Sequence, residues 1–128
     1  TACVTDPVAR AQTEQGQVWD DPSIDLLYEL MLDIERQDEL FVIVERLDAT
    51  DVFMQVVRLT DGSYLVERRT GSAESHIHAF SSDLRLVHGV LAGWTYGLEA
   101  GEVIGWDGTD LDWQPGYGPD AGPAPDED

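Results

Sequence analysis

The stretch VFMQVVRLTDGSYLVERR (52–69) contains two apolar, β-branched runs separated by Asp61-Gly62. An Asp-Gly pair between such runs is the strongest short signal for a β-hairpin. A two-residue turn pairs Leu59 with Tyr64 and Val57 with Val66, which sets the register of the two strands. The predicted core face is then Phe53, Val57, Leu59, Tyr64 and Val66, and the opposite face carries Met54, Val56 and Leu65 among Arg58, Glu67 and Arg69.

Strand signals continue on both sides of this hairpin. The run LFVIVERL (40–47) precedes it, and SHIHAF (75–80) follows after a short turn. Short links between neighbouring strands indicate an antiparallel meander. After Gly101, the run EVIGW (102–106) is either a last strand or an extended segment.

Two amphipathic helices flank these strands. Asp21-Pro22 is a helix start, and apolar residues then recur at helical spacing to a predicted end near Gln37. Ser81 or Ser82 is the expected cap of a second helix over residues 82–97. The predicted fold is α+β: an antiparallel four- to five-stranded meander with helices 21–37 and 82–97 packed on one face.

The chain of 128 residues divides into three parts by composition. Residues 1–18 are polar without a sustained period and are expected to form a loose N-terminal arm. Residues 19–106 form the single α+β domain, and residues 107–128 form an acidic tail rich in Gly and Pro. We expect a cytoplasmic protein, because there is one cysteine, no signal-peptide pattern, and no uncharged stretch longer than residues 86–98.

Charge is the most unusual property of this sequence. There are 26 acids against seven bases, all Arg, and the formal net charge is −19. The absence of Lys and Asn suggests a GC-rich, actinobacterial genome. Residues 1–40 carry a net charge of −8, residues 41–80 carry −2 and residues 81–128 carry −9. Such a surface attracts basic partners and repels the phosphates of nucleic acid, so direct nucleic-acid binding is not expected.

The pair His76-x-His78 is the strongest candidate for chemistry in the sequence. It places two imidazoles on one face of a strand, and Glu67 or His88 could supply a third metal ligand. Zinc enzymes normally show further spacing motifs such as HExxH or CxxC, and these are absent. We therefore interpret His76 and His78 as two polar residues on the outer face of an edge strand. We predict no catalytic residue, no resident metal and no cofactor.

Two further patterns concern packing and partners. Gly89, Gly93, Gly97 and Gly101 recur every four residues, as on a helix face in close contact with another element. Either a partner or the protein's own first helix or sheet could fill that face, and Gly97 or Gly101 could end the helix. The tail WDGTDLDWQPGYGPD (106–120) combines aromatic and acidic residues, which suits a basic, partly apolar groove; alternatively, it folds back over the sheet.

The predicted partner-binding surface combines the first helix and the tail. Acids on the helix would attract the partner over a distance, and tail residues would supply further charge and apolar anchors. The candidates on the helix are Asp25, Glu29, Asp33, Glu35, Asp38 and Glu39. The candidates in the tail are Trp106, Asp107, Asp110, Asp112 and Trp113.

The layout resembles a known family through DGSYLVE (61–67), the helix 82–97 and EVIGW (102–106). Over residues 20–106 it is similar to the Imm1-type immunity proteins of actinobacterial toxin systems. The resemblance implies a protein that binds and blocks a cognate toxin. It assigns no functional residues, and the acidic extension beyond Trp106 is not part of that pattern.

The sequence predicts a non-enzymatic acidic protein-binding module, with an immunity-type inhibitor of a basic toxin, for example a nuclease, as the leading hypothesis. Three alternatives remain open at this point. They are a DNA mimic that occupies a nucleic-acid-binding protein, a small metal-dependent enzyme that uses His76 and His78, and an accessory or chaperone protein of a secretion or biosynthetic system.

Overall fold

The computed structural model describes residues 7–36 and 41–116. The strands are β1 (Ala9–Thr13), β2 (Val18–Asp20), β3 (Phe41–Arg46), β4 (Val52–Arg58), β5 (Tyr64–Thr70), β6 (Ile77–Ser81) and β7 (Gln114–Pro115). The helices are α1 (Ile24–Glu35) and α2 (Leu84–Tyr96), and a short 3₁₀ turn (Ala73–Ser75) lies between β5 and β6.

The described strands form one sheet in the order β2-β1-β3-β4-β5-β6-β7, with every neighbouring pair antiparallel. Buried residues of both helices join alternate residues of the strands in a single hydrophobic core, so one face of the sheet carries the helices. The predicted α+β class with an antiparallel sheet and two helices is confirmed. Seven strands exceed the predicted four to five.

The two additional strands at the start of the chain correct one expectation. Residues 9–18 do not belong to a loose arm, because β1 lies inside the sheet between β2 and β3. The side chains of Ala9, Ala11 and Thr13 are buried, whereas Arg10 and Gln12 point to the other face. Side chains this small give little hydrophobic signal, so their alternation alone did not indicate a strand.

The start of α1 also differs from the expectation. Ser23 is the N-cap, and its Oγ accepts the backbone N–H of Leu26 at 2.9 Å. Asp21 has a left-handed φ of 48°, and its carboxylate accepts the N–H groups of Val8 and Ala9. Asp21, predicted as the start of the helix, therefore holds the chain that enters β1 instead.

Helix α2 begins after Asp83, whose carboxylate accepts the N–H groups of Arg85 and Leu86. The predicted caps Ser81 and Ser82 are therefore wrong by one or two residues. Gly97 ends the helix with a left-handed φ of 67°. It is one of the two residues predicted to end this helix. The predicted end of α1 near residue 37 lies outside the described residues.

The hairpin of β4 and β5 exists, but its register differs by one residue. The loop is Thr60–Gly62, because the N–H of Leu59 donates to the carbonyl of Ser63 at 2.8 Å. Val56 therefore pairs with Val66, and Val57 pairs with Leu65. A one-residue shift moves every side chain of a strand to the opposite face. Met54 and Val56 are thus the buried core residues of β4, and the predicted core positions Phe53 and Val57 lie on the other face.

Residues 102–106 form neither a strand nor a simple extended segment. They make two tight turns, in which Glu102 donates to the carbonyl of Glu99 and Trp106 donates to the carbonyl of Val103. The chain then runs along the domain to β7, which pairs with β6. We call residues 107–116 the C-terminal segment. Within the described part of the chain, no helix is long and apolar enough to cross a membrane.

Candidate functional site

A groove of about 610 Å³ opens between the start of α1, the start of α2 and the loop that follows α2. Its lining includes three acids and a single Arg. The lining residues are Ser23, Ile24, Asp25, Tyr28, Glu29, Arg85, His88, Glu102 and Ile104. We call it the α1–α2 groove, and it contains two of the acids that the sequence assigns to a partner.

The predicted acids of α1 divide between three environments. Asp25 and Glu29 lie one turn apart and line the groove. Asp33 is the next acid at this spacing, but its carboxylate accepts a hydrogen bond from the guanidinium of Arg36 at 2.6 Å. Of Asp25, Glu29 and Asp33, only the first two are therefore free of ion pairs with the described residues.

Glu35 lies away from the groove, close enough to Tyr64 for its charge to affect that phenol. Burial of Tyr64 raises its pKa, and the negative charge of Glu35 adds to the rise. The remaining predicted acids of this region, Asp38 and Glu39, lie outside the described residues.

The loop after α2 adds residues that the sequence analysis did not select. The N–H of Leu98 donates to the carbonyl of Gly93 at 3.0 Å, which turns the chain back toward α1. Val103 is 1% exposed and anchors the loop in the core. Its neighbours Glu102 and Ile104 lie in the groove wall, and Ile104 is 91% exposed. A large apolar side chain thus stands in solvent beside a carboxylate.

Arg85 is the basic residue of the groove lining. Its guanidinium carbon lies 5.7 Å from the ring centre of Tyr28, within the range of a cation–π contact. A Cβ at position 105 would come within 2.6 Å of Arg85 Nη1, and Gly105 also has a φ of 85°. Glycine at this position therefore allows the loop to approach the guanidinium. A second cavity of about 300 Å³, which reaches Trp106, also includes Arg85 in its lining.

His88 forms part of the groove wall and is 5% exposed. Its Nε2 lies 2.9 Å from the carbonyl oxygen of Ile24, which can only accept, so Nε2 carries the proton. The ring also meets Tyr28 edge to face, with centroids 5.0 Å apart. Burial lowers the pKa of His88, because the charged imidazolium loses solvation there. The neutral ring therefore presents Nδ1 as a hydrogen-bond acceptor.

Trp106 was predicted as a partner anchor, but its indole packs against α2. A Cβ at Gly89 would lie 2.2 Å from Trp106 Cγ, and one at Gly93 would lie 2.9 Å from Cη2. Its Nε1 donates to the carbonyl of Thr109 at 2.9 Å. Gly89 and Gly93 therefore leave space for this indole, which is neither of the two fillings predicted for the glycine face. A Cβ at Gly97 or at Gly101 would meet no atom within 4 Å.

The predicted residues of the C-terminal segment also make internal contacts. The Trp113 ring lies 4.7 Å from the guanidinium carbon of Arg68, and its Nε1 donates to Asp110 at 2.9 Å. Hydrogen bonds from the side chain and then from the backbone N–H of Thr109 lower the pKa of the Asp107 carboxyl. Asp112 is exposed. The described segment therefore folds back on the domain through the Trp113–Arg68 contact and the pairing of β7 with β6, and Asp107 and Asp110 bond within the segment.

The pair His76 and His78 lies on one sheet face, as predicted, but in a hydrogen-bonded setting. His76 is 2% exposed; its Nδ1 accepts from Arg69 Nε at 3.3 Å, and its Nε2 lies 3.1 Å from Glu67. His78 Nδ1 lies 2.9 Å from the carbonyl oxygen of Gly116. Among the described residues, no three His, Cys, Asp or Glu side chains group as metal ligands. The arrangement is a buried polar network next to a cation, a poor environment for a divalent metal.

Sequence reasoning missed more than half of the groove lining. Tyr28 lies three residues from Asp25 on α1, so helical spacing could have placed it on the same face. The others come from α2 and from a loop without a regular period. The residues that bear on binding and were not assigned to a partner are Tyr28, Arg85, His88, Glu102 and Ile104.

No protein-family model, no curated protein and no solved structure matches this chain. The similarity to Imm1-type immunity proteins therefore rests on the sequence layout, and it stays a prediction. The geometry of the α1–α2 groove carries the functional argument instead.

Proposed function

We propose that this protein is a non-enzymatic acidic module that binds a basic protein partner through the α1–α2 groove. The observation that carries the proposal is that Asp25 and Glu29 meet Glu102 in one groove, beside the exposed Ile104. None of the described basic residues forms an ion pair with these three carboxylates. Free carboxylates beside an exposed apolar side chain suit a partner surface of Arg or Lys around an apolar patch.

The finer part of the proposal is inhibition of a basic toxin, as the resemblance to immunity proteins implies. An inhibitor of a toxin must associate before damage occurs, so a high association rate is an advantage. A net charge of −19 attracts a cationic protein over a distance and raises the association rate by orders of magnitude at low salt. We place this activity in the cytoplasm, which cell fractionation would test.

The groove also replaces the aromatic anchors that the sequence suggested. Trp106 and Trp113 are already packed within the domain, whereas the side chain of Ile104 is available. Apolar anchors at interface centres contribute most when water is excluded from them. Ile104 would therefore supply apolar contact, and the surrounding acids would supply attraction and orientation.

Capture of the partner and measurement of its association rate test this proposal. Wild-type protein is immobilised beside two variants that lose two charges each: Glu29→Gln/Glu102→Gln in the groove and Glu74→Gln/Asp112→Asn elsewhere. The protein retained from a lysate of the source cells is purified, and its association rate with each form is measured. We expect the groove variant to associate about tenfold more slowly than the control at low salt.

The salt dependence of the same association rates can contradict the proposed function. Wild-type association should slow markedly between low salt and about 0.15 M ionic strength, because exposed charges are then screened beyond about 8 Å. A partner whose rate is unchanged by salt, or equal rates for the two variants, would contradict the proposal. The matched control removes the effect of net charge alone.

A DNA mimic remains the second candidate, since Asp25, Glu29 and Asp33 follow one side of α1 at intervals of four residues. The Asp33–Arg36 ion pair weakens that similarity to a row of phosphates. Competition distinguishes the two functions. Displacement of the captured partner by short duplex DNA would favour the mimic, whereas no displacement would favour occupation of a different surface of the partner.

A further inference from the structure

His88 adds a buried hydrogen-bonding side chain to the acids of the groove. It is more than nine-tenths buried, and it lines the cavity. Because Nε2 donates to the carbonyl of Ile24, Nδ1 carries a lone pair. Nδ1 makes no hydrogen bond with any residue that the structure describes. Nδ1 is not among the fully buried side-chain atoms that lack a hydrogen-bond partner, so solvent reaches it and it can accept a hydrogen bond from a ligand.

The rest of the groove has the chemistry of a site for a long cationic side chain. Ile24 and Ile104 are apolar walls, and Tyr28 is an aromatic face. Acids from α1 and from the loop after α2 contribute to the same lining. Its volume of about 610 Å³ lies within the range of ordinary ligand pockets.

We infer that the α1–α2 groove receives an arginine side chain of the basic partner; this inference rests on the proposed function. The aliphatic part of that side chain contacts Ile24 and Ile104. Its guanidinium pairs with the free carboxylates of the groove and donates one N–H to His88 Nδ1. Arginine fits better than lysine because its planar group donates several hydrogen bonds in fixed directions, to the carboxylates and to Nδ1.

Arg85 shows that the groove already accommodates a guanidinium. Its carbon lies 5.7 Å from the Tyr28 ring centre, so Arg85 itself makes the cation contact with this ring. The lining has three carboxylates and one guanidinium, which leaves two negative charges for an incoming cation. Glycine at position 105 leaves room for Arg85 beside the loop after α2.

The experiment uses the full chain and a small probe, Nα-acetyl-arginine methylamide, with the matching citrulline compound as the uncharged control. Amide shifts in two-dimensional ¹H–¹⁵N spectra report where each probe binds. We expect saturable shifts around residues 24–29, 85–88 and 102–104, and at least tenfold weaker binding of the citrulline probe because it lacks the charge. Glu29→Gln should weaken arginine binding several-fold, and Glu74→Gln should leave it unchanged.

The imidazole of His88 gives a readout that needs no substitution in the core. Long-range ¹H–¹⁵N spectra detect both ring nitrogens. The Nδ1 resonance should shift as the arginine probe saturates, because its lone pair then accepts a hydrogen bond, while Nε2 should remain protonated. An unchanged Nδ1, equal binding of both probes, or shifts outside the groove would each overturn the inference.

The outcomes separate this inference from the proposed function. A salt-sensitive partner that depends on Glu29 and Glu102, combined with no preference for the arginine probe, leaves the function standing and removes the arginine site. Specific binding of the arginine probe, combined with a partner insensitive to salt, keeps the site and removes the proposed electrostatic function.

Discussion

The α1–α2 groove and the C-terminal segment are both acidic and aromatic, but they use their carboxylates differently. In the C-terminal segment, Asp110 accepts hydrogen bonds from the N–H of Leu111 and from Trp113 Nε1. In the groove, Asp25 and Glu29 form no ion pair with the described residues. The carboxylate of Asp110 is therefore used within the fold, whereas the carboxylates of Asp25 and Glu29 remain available to a partner.

The difference follows from the local backbone. An irregular segment has free N–H groups close to each Asp, so short carboxylates form turns with them. In the interior of a helix, the N–H groups already bond to carbonyls one turn earlier, so Glu29 has no backbone donor to bind. Composition alone therefore does not distinguish a structural acid from a binding acid.

The largest effect is expected where Trp106 contacts α2. Ala is favoured over Gly in a helix by about 1 kcal/mol, but Gly89→Ala places a Cβ 2.2 Å from Trp106 Cγ. We expect this substitution to lower the free energy of unfolding by about 2 kcal/mol, through overpacking. Urea unfolding measures it. In a Trp106→Ala background the same change should become neutral or stabilising, and a stabilising effect in the wild-type background would contradict the packing described.

The second largest effect on stability is expected at Asp110, and a neighbouring acid of the C-terminal segment serves as its control. Asp110→Ala removes the acceptor for Leu111 and Trp113, and we expect a loss of about 1–2 kcal/mol of stability. Asp112→Ala is the control, because Asp112 is exposed and forms no hydrogen bond with the described residues. Thermal unfolding of both variants tests the difference. Equal unfolding temperatures would show that Asp110 does not hold the segment.

An intermediate effect concerns pH and His88. Its pKa is lowered in the folded protein, so the unfolded chain binds the proton more readily. Stability attributable to His88 is therefore complete above the unfolded pKa, about 6.5, and declines as pH falls through the folded value. Stability measured against pH in wild type and in His88→Gln should diverge below about pH 6.5. Parallel curves would indicate that His88 is not buried as described.

The smallest effect concerns the free acids of α1. Glu29 lies four residues from both Asp25 and Asp33, so Glu29→Gln removes two repulsions and should stabilise the protein by about 0.3 kcal/mol. Asp33→Asn removes the ion pair with Arg36 and should destabilise it by about 0.3 kcal/mol. Chemical unfolding of both variants compares the signs. Loss of stability in Glu29→Gln would indicate that Glu29 has a structural role.

Much of the secondary structure could be predicted from local patterns. The apolar spacing of Leu27, Met31 and Ile34 indicated a helix, and all three are buried. Gly97 was one of two predicted ends for α2, and its left-handed φ explains why glycine is there. The Asp-Gly pair correctly indicated a hairpin. These features depend on neighbouring residues, so the sequence was sufficient for them.

The register and the groove could not be predicted in this way. Gly62 with a positive φ suits both a two-residue turn and a three-residue loop, so the turn residue did not distinguish the two registers. The groove joins residues 23–29, 85–88 and 102–104, which are distant along the chain. The sequence by itself determined the two helices, the central strands and the acidic charge, because propensity and composition are local. Only the tertiary structure decided which acids accept hydrogen bonds in turns and which line a groove. The environment of each carboxylate depends on where the backbone N–H groups and basic side chains lie in the folded chain.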